Sequence, residues 1–67
     1  MNTYLIGLDD AEFFLKPDGT AWTAVSFDAA CVKADELFKT TNYCKIDIEI
    51  RNSDGETVRC VNYYEQG

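Results

Sequence analysis

Histidine is missing from these 67 residues and proline occurs once. Without an imidazole there is no Ser–His or Cys–His nucleophile pair and no histidine metal ligand. Cysteine is scarce and odd in number: Cys31, Cys44 and Cys60, with no CxxC pair. A secreted chain this short would carry an even disulfide framework, so free thiols in a reducing cytoplasm are expected. No apolar run approaches the roughly 20 residues of a membrane span. The opening MNTYLIGLDD has no basic leader region, and its apolar stretch is broken by Gly7 and stopped by Asp9, so no secretory leader is expected. Bases are the other shortage, six against twelve acids, for a formal net charge of -6. Such a surface repels nucleic acid and anionic membranes, so neither is an expected partner.

Recognisable site chemistry is equally thin. Gly19 and Gly55 are single turn glycines, not a phosphate loop. The stretch NSDGE invites comparison with a calcium loop, but position one of an EF-hand would be Ile50 and position twelve Val61. Acids cluster as Asp9–Asp10 with Glu12, Asp35–Glu36, Asp47 with Glu49, and Asp54 with Glu56. Glycosidase-type chemistry needs two carboxylates facing across a cleft. A domain this small is expected to hold its acids on convex faces. The expectation is a non-enzyme with no catalytic residues, no cofactor and no metal.

What is present is apolar content of 46%, with nine aromatics, enough for one folded domain spanning 1–67. TYLIGL (3–8) reads as a short strand. EFFLK (12–16) and TAWTAVS (20–26) flank KPDGT, where Pro17 and Asp18 suit a type I turn and Gly19 the left-handed residue after it. From Ser26 the period changes. Phe27, Ala30, Cys31, Ala34, Leu37 and Phe38 make one helical stripe over 27–40, with Ser26 as N-cap, Asp28 in the first turn, Lys39 in the last, and Asn42 as a left-handed stop. Residues 43–52 and 56–65 then read as two strands around NSDG. The order is β-β-β-α-β-β with the first strand short or absent: an α+β domain of two layers, one helix on a small antiparallel sheet.

A type I turn at Asn52–Asp54 with Gly55 left-handed sets Asn52 opposite Glu56. That register pairs Ile50 with Val58, Ile48 with Cys60 and Ile46 with Asn62 on the inner face, and Cys44 with Tyr64. A two-residue Asp54–Gly55 turn would instead set Ile50 against Arg59, and is rejected for that reason. Cys31 and Cys60 are then small core residues. On the outer face Glu49 meets Arg59, while Asp47 meets Val61 with Tyr63 beyond. Asp47, Glu49, Val61 and Tyr63 form the candidate partner-binding face. Asp9, Asp10, Glu12, Asp35 and Glu36 are further candidate acidic contacts.

This profile of length, single helix on a small sheet, negative charge and missing catalytic groups resembles the small acidic inhibitors of phages and mobile elements, the anti-CRISPR proteins among them. The resemblance covers the whole chain and rests on no motif. It implies an inhibitor in the host bacterial cytoplasm that binds a Lys/Arg-rich surface of a defence protein, such as a CRISPR effector subunit. Carboxylates would stand in for phosphates there. The alternative is a protein-interaction module, monomer or homodimer, whose charge only keeps it soluble.

Overall fold

A computed structural model describes residues 1–9 and 12–66. Four strands and one helix follow in the order β1 (Thr3–Gly7), β2 (Thr23–Ala24), α1 (Phe27–Thr40), β3 (Lys45–Arg51) and β4 (Thr57–Glu65). The strands form one antiparallel sheet in the order β2-β1-β3-β4. The expected class holds. The opening strand is not marginal but central, bordered by β2 on one side and β3 on the other.

The 12–16 segment does not become a strand. It contributes only isolated bridges, Phe13 to Gly7 and Leu15 to Ala21. The reason is that two segments compete for one short edge of β1. Phe14 donates its N–H to the Ile6 carbonyl at 2.8 Å, while Thr23 and Ala24 take the places beside Leu5 and Tyr4. Neither has room to extend, so the expected strand at 20–26 shrinks to two residues. The turn between them forms as read. Gly19 donates to the Lys16 carbonyl at 2.9 Å with a φ of 90°, and the Asp18 carboxylate accepts from the Thr20 N–H and hydroxyl.

Helix α1 starts where its cap chemistry puts it. Ser26 is extended, and its hydroxyl accepts from the Ala29 N–H at 3.1 Å. The stop comes one residue earlier than the expected left-handed Asn42: Thr41 turns extended while its N–H still reaches the Leu37 carbonyl at 3.0 Å. Only the middle of the apolar stripe is buried. Ala30 and Ala34 are fully covered and let the helix axis approach the sheet closely, with Leu37 beside them. Phe27 and Phe38, at the two ends, stay about two-fifths exposed and stack edge-on against Tyr4 and Tyr64. Beneath the helix lie Ile6, Ile46 and Ile48, all fully buried.

The last hairpin corrects the expected register, although its turn is the one anticipated. Asn52 faces Glu56, Gly55 sits at φ 84°, and the Asn52 side chain accepts from the N–H groups of Asp54 and Glu56. Two bulges then intervene in β4, one leaving out Val58 and one leaving out Tyr63. Ile50 therefore pairs with Arg59, Ile48 with Val61, Glu49 with Cys60, Asp47 with Asn62 and Ile46 with Tyr64. The rejected Ile50–Arg59 pairing exists, but a bulge produces it, not a two-residue turn. The physical gain is clear. Without the bulges Asn62 would face Ile46 across the core; with them Val61 and Tyr64 meet the isoleucines and the amide turns outward.

Candidate partner-binding surfaces

The expected face of Asp47, Glu49, Val61 and Tyr63 does not exist as one surface. The slip in register sends Val61 to the helix side, half-buried against the core. Tyr63, bulged out of the ladder, also leans toward the helix. Partial burial and the nearby Asp35 carboxylate raise its hydroxyl above the usual phenol range. Asp47 and Glu49 do lie on the outer face, together with Cys60 and Asn62. Cys60 is thus exposed, not a core residue, while Cys31 is half-buried on the helix. Burial first and neighbouring carboxylates second push both thiols up, Asp28 acting on Cys31 and Asp47 with Glu49 on Cys60. Both are held protonated, the opposite of an activated nucleophile.

The outer-face acids are also largely satisfied at home. Glu49 bonds Arg51 at 2.6 Å, not Arg59 as the expected register had it. Asp47 accepts from the Asn62 amide at 3.0 Å and lies 3.5 Å from the Lys45 ammonium. Their side chains are only 18% and 19% exposed, so neither is a free phosphate-like group. The same face is partly roofed. Leu5 points outward yet is buried, and the Arg51 guanidinium stacks over the Phe13 ring at 5.3 Å.

The other acids divide in the same way. Asp9 accepts from the backbone N–H groups of Cys44 and Lys45 at 3.0 and 2.8 Å, fixing the entry to β3. Asp35 pairs with Lys39 and Glu36 with Lys33 along the helix. Glu12 is exposed, and Asp10 lies outside the described residues. Among the described residues seven acids form no ion pair: Asp9, Glu12, Asp18 and Glu65, and the three on the helix N-terminus and the 52–56 turn, Asp28, Asp54 and Glu56. The pairing of Thr3 with Arg51 and of Tyr4 with Ala24 brings the helix N-terminus to the end of the sheet that carries the 52–56 turn. The three acids therefore share one end of the molecule. Sequence reading included Asp54 and Glu56 among its acid clusters but did not join them to Asp28, because that takes the strand order.

At this end lies an open groove of about 340 Å³ lined by Tyr4, Phe27, Ile50, Arg59 and Val61. It exists because α1 packs on β1, β2 and β3, leaving the helix side of β4 partly bare. A second hollow, of about 510 Å³, opens at the far end of the helix. Among the described residues no group of three Cys, Asp or Glu side chains is arranged to hold a metal ion, and no helix is long and apolar enough to cross a membrane. Comparison with protein-family models, with curated proteins and with solved structures gave no match in any of the three.

Proposed function

We propose that this chain is a non-enzymatic binding protein that occupies a basic, nucleic-acid-binding surface of another protein and thereby inhibits it. The observation that carries the reading is the distribution of charge. Four of the six cations, Lys33, Lys39, Lys45 and Arg51, are taken up by acids of their own chain. The negative charge left over includes Asp28, Asp54 and Glu56 at the end of the molecule where the groove lies. The groove itself is lined by Tyr4, Phe27, Ile50 and Val61 with Arg59, a cation that forms no ion pair among the described residues. Acids at this end steer the encounter and the apolar lining supplies contact area. The profile resemblance supports a CRISPR effector subunit as the partner and the bacterial cytoplasm as the setting, where three free thiols fit. Nucleic acid and membrane are not partners in this reading.

Binding to an effector subunit with a Lys/Arg-lined groove is expected to weaken roughly tenfold or more between about 50 and 200 mM salt. Affinity that stays level over that range contradicts charge mimicry.

A second reading, a homodimer or neutral interaction module, is favoured by the exposed Val58 on the edge strand. A solution mass of twice the chain at micromolar concentration would support it.

A further inference from the structure

The hollow at the C-terminal end of α1 lies outside the buried core, none of its lining residues being fully covered. It is lined by Phe38, Thr41, Asn42, Tyr43, Tyr64 and Gln66 together with the free thiol of Cys44, and by no charged side chain. Phe38 and Tyr64 pack edge-on with ring centroids 4.6 Å apart, and Tyr43 adds a third ring to the lining. Elsewhere in the molecule three rings, Phe13, Phe14 and Trp22, are already matched with cations, whereas Tyr4 and Phe27 are matched only with each other. The Lys33 ammonium sits 5.6 Å from the Phe14 ring and 5.7 Å from the Trp22 ring, and Arg51 sits over Phe13. Among the described residues no cation of the chain lies over Phe38, Tyr43 or Tyr64.

A second, independent feature has the same sign. Phe38 and Thr41 belong to the last turn and C-cap of α1. The final carbonyls of a helix lack partners within it and carry the negative end of the macrodipole. Ring faces, helix carbonyls and a net charge of -6 all favour one kind of occupant.

We propose that this hollow receives a cationic side chain, an arginine, from the basic surface of the partner. The guanidinium would lie against the ring faces, with the Asn42 and Gln66 side-chain oxygens and the end of α1 near enough to accept its N–H groups. The proposal rests on the basic-partner reading but assigns it a specific pocket, at the opposite end of the helix from Asp28.

The test uses the intact chain, titrated with N-acetyl-arginine methylamide and, in parallel, with its neutral citrulline analogue, and followed by NMR of the aromatic ring signals. The arginine probe is expected to move the Phe38, Tyr43 and Tyr64 ring signals saturably, with the citrulline analogue at least about threefold weaker. A Phe38→Leu/Tyr43→Leu variant keeps apolar bulk while removing two of the three rings, and is expected to lose the preference for arginine while remaining folded by circular dichroism. Equal response to citrulline overturns the proposal, as does a preference that survives in the leucine variant. If arginine shifts signals around Asp28, Asp54 and Glu56 but leaves the rings in place, the pocket is wrong and the basic-partner reading stands. If neither region responds, both are wrong.

Discussion

Ile48→Ala removes most of the chain's stability. Ile48 is fully buried at the centre of the sheet, paired with Ile6 in β1 on one side and Val61 in β4 on the other. Trimming a buried isoleucine to alanine costs about 2–5 kcal/mol, because the transfer term and the cavity left behind add. A chain of this length has in all about 3–10 kcal/mol to lose. Urea unfolding followed by circular dichroism is expected to show a midpoint shifted far toward zero denaturant, or no native baseline. Val58→Ala is the internal comparison. Val58 lies on the neighbouring strand but is bulged out and more than half exposed, so its loss is expected to change stability by no more than about 0.5 kcal/mol. Similar effects at the two sites would contradict the register described above.

The second large effect concerns binding. Neutralising the end acids together, as Asp28→Asn/Asp54→Asn/Glu56→Gln, is expected to weaken binding to a basic partner roughly tenfold or more at low salt, chiefly through slower association. Neutralising Asp47 and Glu49 is expected to do less. Those carboxylates already answer to Lys45, Asn62 and Arg51, and their removal frees two cations that then face the partner. Asp28 also supports the helix N-terminus, so a thermal melt of each variant separates loss of fold from loss of contact. If the Asp47/Glu49 pair proves the more damaging, the partner meets the outer sheet face instead.

The contrast between these two sets of acids shows what the sequence held and what it did not. Local chemistry was legible because it acts within a few residues. Ser26 caps, Gly19 and Gly55 turn, and the 3.6-residue stripe marks the helix. The register of β3 against β4 is set by which side chains the core accepts, and that depends on elements far apart in the chain. One warning was present: the unbulged register put Asn62 opposite Ile46, an amide on a buried face with no evident partner. Weighing that misfit above the regularity of the strand would have suggested a bulge. It would also have moved Val61 inward and Cys60 outward. The fate of the 12–16 segment was less accessible, since it depends on β1 being central and its free edge being shared. Asp9 was singled out for its charge, but its role as acceptor for the N–H groups of Cys44 and Lys45 spans 35 residues and no local signal encodes it.

Displacement of nucleic acid is the most direct measurement. A labelled DNA or RNA oligonucleotide is bound to a CRISPR effector subunit at low salt, and the chain is added while fluorescence anisotropy is followed. Occupation of the basic surface predicts that the oligonucleotide is released in proportion to the chain bound, and that the triple neutralised variant needs at least about ten times the concentration. Formation of a complex that keeps its nucleic acid, or failure of the chain to bind the subunit at all, would contradict the account.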